Sequence, residues 1–99
     1  MEKISPHYCL SDILTQMQSV PDMNITVSAR SVIRAAEMSQ DGTLAVVESL
    51  TRQNLYKSMT THANHRVWQD VYHGEWCNTA LYIKFQRTGE YFVVSFKEL

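Results

Sequence analysis

The chain lacks any long apolar run. Leu44-Ala45-Val46-Val47 is typical of its longest apolar stretches and is far too short to cross a bilayer. The opening Met1-Glu2-Lys3-Ile4-Ser5-Pro6-His7 has no apolar core, so it does not read as a secretory signal. Both observations point to a cytoplasmic protein. Cysteine is scarce: Cys9 and Cys77 are the two thiols, and they form no C-x-x-C pair. In a reducing compartment they are expected to be ordinary thiols and not a disulfide. No internal repeat or low-complexity segment is visible. Basic excess is missing too, since the net charge is −1, whereas a nucleic-acid binder usually has a positive balance.

What is present is an ordinary globular composition, 44% hydrophobic and 19% charged. Ninety-nine residues make one domain by the usual length prior, so residues 1–99 are expected to fold as a unit. Charge is unevenly spread. Residues 1–50 carry three basic and six acidic side chains, and residues 51–99 carry six basic and four acidic. Any polyanion would therefore be bound by the second half.

The first half has helical period. Ser11-Asp12 reads as a cap for a short helix bearing Ile13, Leu14 and Met17, ended by Pro21-Asp22. A second helix is expected over about Ser28 to Met38, with Ala29, Val32, Ile33 and Ala36 on one face. Asp41-Gly42 reads as a break before a third helix carrying Leu44, Val47 and Leu50. Thr51 to Tyr56 is read as a lead-in with a further helical turn.

The last third changes period. Val67 to Tyr72, Thr79 to Gln86 and Tyr91 to Lys97 are rich in β-branched and aromatic residues and read as strands. Short connections at 73–78 and 87–90, the latter with Gly89, imply an antiparallel meander. The expected class is α+β, with N-terminal helices packed on one face of a C-terminal antiparallel sheet. Alternation places Leu81, Ile83 and Phe85 together with Phe92, Val94 and Phe96 under the helices. Tyr82, Lys84, Ser95 and Lys97 are left on the opposite face, a plausible floor for phosphate. A merely solvated face is the plain alternative.

Residues 56–72 are dense in groups that touch RNA: Lys57 and Arg66 for phosphate, Tyr56, Trp68 and Tyr72 for stacking, Asn64 and Gln69 for base edges. The segment Tyr56-Lys57-Ser58-Met59-Thr60-Thr61, a following His, and Trp68-Gln69-Asp70-Val71-Tyr72 resemble the signature of the motility quorum-sensing regulator (MqsR) toxin family. The ending Val93-Val94-Ser95-Phe96-Lys97-Glu98 and the opening Met1-Glu2-Lys3 with Pro6-His7 resemble it as well. The likeness spans the chain, tightest in 56–72 and 91–98. Two features depart from it: this chain is less basic, and its 73–80 connection, with Trp76 and Cys77, differs.

The resemblance implies a fold similar to the RelE and YoeB ribonuclease toxins. It implies a toxin of a bacterial type II toxin–antitoxin system, an endoribonuclease that cuts messenger RNA at GCU-like sites. Its catalytic residues would be Lys57, Gln69 and Tyr82, with Lys97 as a secondary candidate. The implied partner is an antitoxin with a zinc-binding N-terminal domain and a helix-turn-helix DNA-binding domain. No cofactor and no metal in this chain, no membrane and no direct DNA binding are expected.

Metal-free cleavage uses the RNA 2′-hydroxyl as nucleophile. Lys57 suits charge stabilisation and Tyr82 can donate a proton. Gln69 can orient phosphate or read a base. Arg66, Lys84 and Lys97 are supporting cations. His65 is the best chemical candidate for a general base, with a structural loop histidine as its equal alternative. Alternation groups Gln69 with Val67 and Val71, which ought to face the core. Either the strand turns its valines outward or a bulge re-aims Gln69. Two competing readings stand beside the ribonuclease. One is a zinc site from His62, His65, His73 and Cys77, although the second pair lacks the usual ligand spacing. The other is a non-catalytic partner- or RNA-binding module.

Overall fold

The alternating apolar positions of the last third become a sheet, and the periodic segments before it become the helices that cover one face. The computed structural model describes residues 1–98. In chain order the elements are β1 (Glu2–Lys3), α1 (Leu10–Gln16), β2 (Asn24–Ile25), α2 (Val27–Ala35), α3 (Gln40–Glu48), β3 (Leu55–Thr60), β4 (Trp68–Trp76), β5 (Thr79–Thr88) and β6 (Tyr91–Glu98). Short 3₁₀ turns at Val20–Asp22 and Arg52–Asn54 link them. The sheet order is β1-β3-β4-β5-β6-β2, antiparallel except for β2, which runs parallel to β6. This is the α+β class that the sequence pattern predicts.

Leu81, Ile83 and Phe85 are fully buried, as is Val94, with Phe96 and Phe92 nearly so. They pack under Ile13 and Met17 of the first helical segment, Ala29 of α2, and Val46 and Val47 of α3.

Several boundaries differ from the sequence reading, and α2 ends at Ala35, short of the expected Met38. Helix α1 starts at Leu10 with Cys9 at the N-cap, and Ser11 and Asp12 lie in its first turn. Asp41-Gly42 is not a break. Ser39 caps α3 by accepting the Gly42 N–H at 2.9 Å. Gly42 is required there by close approach, because a Cβ would run into the Trp76 indole. The 73–78 connection shrinks to two residues. Cys77 and Asn78 both take positive φ, 46° and 69°, the geometry of a two-residue hairpin turn. Strand β4 therefore continues to Trp76, beyond the expected end at Tyr72. Gly89, at φ 65°, turns β5 into β6 as expected.

The further helical turn expected within Thr51 to Tyr56 is the 3₁₀ turn Arg52–Asn54, and Leu55–Thr60 beyond it is a strand with a β-bulge: Leu55 pairs with Tyr72, and Lys57 pairs with the next residue, Val71. Tyr56 is the extra residue.

The ambiguity over β4 resolves in favour of outward valine. Val71 lies opposite Lys57 and Lys84, on the face away from the helices. Asp70 and Tyr72 point inward instead, both fully buried. A buried carboxylate is costly unless hydrogen-bonded, and Asp70 is well supplied. Ser58 Oγ donates to it at 2.6 Å, the His7 N–H at 3.0 Å and the Tyr8 N–H at 2.8 Å. The Tyr8 hydroxyl donates to the Trp68 carbonyl at 2.8 Å, and the His7 ring stacks on Trp68 at 4.9 Å. Asp70 thus pins the N-terminal segment across the sheet, and that contact overrides the apolar alternation. Tyr72 gains no such partner, and burial pushes its hydroxyl pKa up to about 12.

Candidate functional site

The sheet face away from the helices is built from three registered rows. Moving across β3 to β6, one row is Lys57, Val71, Lys84 and Ser95. A second, toward the β4–β5 turn, is His73, Tyr82 and Lys97, with Tyr56 brought over it. The third, on the other side, is Met59, Gln69, Gln86 and Val93.

The bulge in β3 is what assembles the first two rows. A regular strand would send Tyr56 and Lys57 to opposite faces, and the extra residue lets both reach the same one. Tyr56 stacks on the His73 ring at 4.6 Å and lies 6.0 Å from the Tyr82 ring. His73 meets Tyr82 edge-on at 5.1 Å. These three rings form a wall. Beside it is a cleft of about 180 Å³ lined by Tyr56, Lys57, Tyr82, Lys84 and Lys97, with Met59 and Val71 as its apolar floor.

Three ammonium groups in one small cleft set its electrostatics. Lys57 Nζ forms an ion pair with Glu2 of β1 at 2.5 Å. That hydrogen bond raises the Lys57 pKa above the ordinary lysine value and lowers that of Glu2 below the ordinary carboxylate value. Both groups are therefore ionised throughout the neutral range. Among the described residues no ion pair to Lys84 or Lys97 forms. A tetrahedral anion with an ester oxygen fits such a place: the lysines hold its charge and the Tyr82 hydroxyl offers a hydrogen bond.

The structure brings Lys57, Tyr82, Lys84 and Lys97 together. Gln69 shares their face but stands one row away, where its Nε2 donates to Gln86 Oε1 at 3.0 Å. His65 and Arg66 do not line the cleft. They are exposed in the 61–67 loop, where the Arg66 N–H is taken by the Asn64 side chain. The zinc reading finds no support. His62 and His65 precede β4, while His73 lies in its second half and Cys77 in the turn after it, and among the described residues no three His, Cys, Asp or Glu side chains converge as a metal site. Sequence reasoning missed Glu2 and His73 as members of this face and left Val71 as one of two alternatives. Only the pairing of β1 and β4 with β3 places them there.

A lysine-lined cleft on the open sheet face of a small α+β protein suits a phosphate-bearing ligand. Comparison with known proteins narrows this. Residues 5–98 match the family described as the motility quorum-sensing regulator, toxin of MqsA. A curated relative, the mRNA interferase toxin MqsR of Escherichia coli (strain K12), is 34% identical over 98 residues, which covers 99% of either chain. The chain belongs to the motility quorum-sensing regulator (MqsR) toxin family.

Proposed function

We propose that this chain, folded as one domain, is the toxin of a bacterial type II toxin–antitoxin pair and cleaves messenger RNA without a metal. The observation that carries the reading is the convergence of Lys57, Tyr82, Lys84 and Lys97 on one cleft in a member of this toxin family. The relative's name, an mRNA interferase toxin, supports the same substrate class. No helix among the described residues is long and apolar enough to cross a membrane. Action in the cytoplasm, where messenger RNA is translated, fits.

The chemistry follows from the groups at hand. The 2′-hydroxyl gives its proton to a base from solvent, since Glu2 is engaged by Lys57 and His65 lies outside the cleft, and its oxygen attacks the adjacent phosphorus. Charge builds on the non-bridging oxygens, where Lys57, Lys84 and Lys97 stabilise it. The bond to the 5′-oxygen breaks, and the Tyr82 hydroxyl is positioned to give that oxygen a proton. The products are a 2′,3′-cyclic phosphate and a 5′-hydroxyl. Among the described residues the cleft lining has no Asp or Glu, and Glu2 beside it is engaged by Lys57, so these residues offer no carboxylate set for Mg²⁺. Purified protein should cut single-stranded RNA in EDTA, and end-group mapping should find those two termini. Strict dependence on added Mg²⁺ would defeat the mechanism. GCU-like sites are the expected preference.

Glu2 occupies the place that a substrate phosphate would take on Lys57. Removing its charge should help RNA compete. Glu2→Gln is expected to lower KM roughly two- to fivefold, the scale of an exposed ion pair, with kcat little changed. A raised KM would mean that Glu2 positions Lys57 and does not compete with substrate.

A free messenger-RNA nuclease would be lethal to its own cell, so a dedicated antitoxin is required. The family description, toxin of MqsA, supports such a partner. In this reading the partner carries the zinc-binding N-terminal domain and the helix-turn-helix DNA-binding domain, and the toxin binds no DNA by itself.

A further inference from the structure

The third row of the open face differs in kind from the other two. Met59, Gln69, Gln86 and Val93 lie side by side across β3 to β6 and carry no charge. Two residues along a strand span about 6.7 Å, so this row borders the Lys57 and Lys84 row, and Met59 alone of its members reaches the cleft. Gln69 and Gln86 are direct cross-strand partners, half-buried and joined by the Nε2 to Oε1 hydrogen bond of 3.0 Å.

We propose that Gln69 and Gln86 together form a base-reading subsite, which takes the edge of one nucleobase whose phosphate rests on Lys57 and Lys84. The proposal deepens the ribonuclease reading and rests on it for the identity of the ligand.

The bonding inventory of the pair supports this. One hydrogen bond between two carboxamides leaves Gln69 Oε1 free to accept and Gln86 Nε2 free to donate. The pair therefore presents an acceptor beside a donor. A base edge with a donor next to an acceptor is its complement, and glutamine is a usual reader of such edges. Single-stranded RNA exposes those edges, because its bases can be splayed from the stack. The mutual hydrogen bond fixes both side chains before substrate arrives, which lowers the ordering cost of binding. Met59 on one side and Val93 on the other give flat apolar surface against which a base or ribose can lie. Phosphate is the wrong ligand for this row: it is neutral, it exposes an acceptor oxygen, and ammonium groups wait one row away. Of the two roles open to Gln69, orienting phosphate or reading a base, the second is the one its pairing with Gln86 supports.

The test uses 2′-O-methyl octamers of A, C and U, which present the same base in every register and cannot be cut by 2′-hydroxyl attack. Binding is followed by fluorescence anisotropy. Wild-type protein is expected to separate the best and worst octamer by about tenfold or more, within the range one bidentate base contact supplies. Gln86→Met removes both polar groups at similar length and should compress that spread to about twofold. Gln86→Glu replaces the free donor by an acceptor and should change the order of preference, an effect that a purely structural cross-strand pair would not have. An unchanged order and spread in both folded variants overturns the proposal, as does wild-type binding that is equal for all three octamers or absent. Wild-type protein that ranks the octamers yet leaves ordinary RNA uncut would refute the ribonuclease reading and leave the subsite standing.

Discussion

Lys57→Ala is expected to lower RNA cleavage by about two to three orders of magnitude, the usual loss when one preorganised electrostatic contact to a transition state is removed. Lys57 sits where the β3 bulge re-aims the strand, and its side chain keeps 28% of its exposure. Little packing is lost with it. Melting temperature should therefore stay within about 4 °C of wild type, as for other surface substitutions. Lys57→Arg keeps the charge and should recover part of the rate. Single-turnover cleavage of a labelled RNA, read beside thermal melts of the same preparations, separates the two effects. Full activity in Lys57→Ala would remove Lys57 from the mechanism. An unfolded Lys57→Ala protein would mean that its contact with Glu2 is structural.

Asp70→Ala should have the largest effect on stability. Its carboxylate is fully buried and accepts three hydrogen bonds, from Ser58 and from the backbones of His7 and Tyr8. Truncation strands those donors in the interior, and bonds to a charged acceptor contribute about 1.5–3 kcal/mol each. A total loss of at least about 3 kcal/mol is expected, against a typical whole-domain stability of about 5–15 kcal/mol. For a chain of this size that corresponds to a fall in Tm of about 12 °C or more. Asp70→Asn keeps an acceptor and should lose less. The N-terminal segment should detach first, because Asp70 is its tether, and Glu2 would then leave Lys57. Chemical denaturation of both variants gives the free energies. A loss under about 1 kcal/mol in Asp70→Ala would show that the segment is held by the His7–Trp68 stack and not by the carboxylate.

The Tyr56–Tyr72 signature names part of the site, Lys57 among it, but not the geometry. Gln69 illustrates the gap. Its residue type suggests contact with RNA, and the resemblance implies catalysis, yet its neighbours in the strand pattern suggest burial. Strand β4 follows neither expectation fully, because the bonds to Asp70 outweigh the burial of Val71 among the helices. His65 shows the converse. Its chemistry suits a base, but the 61–67 loop holds it away from the cleft, while His73, a ligand only in the competing zinc reading, stacks on Tyr56 and meets Tyr82 edge-on.

The sequence by itself determined the α+β class, the core face of β5 and β6, the turn at Gly89 and the membership of Tyr82, Lys84 and Lys97 in one open face. Each of these is local: a period of two, a residue that tolerates positive φ, an apolar set that must be buried. The tertiary structure decided what depends on pairing between distant segments. It turned Val71 outward, built the bulge that brings Tyr56 and Lys57 to one side, carried Glu2 to Lys57 and paired Gln69 with Gln86. A strand's pattern states which residues share a face. Only its neighbours' hydrogen bonds, and the buried polar groups they must satisfy, decide which face that is and what stands opposite.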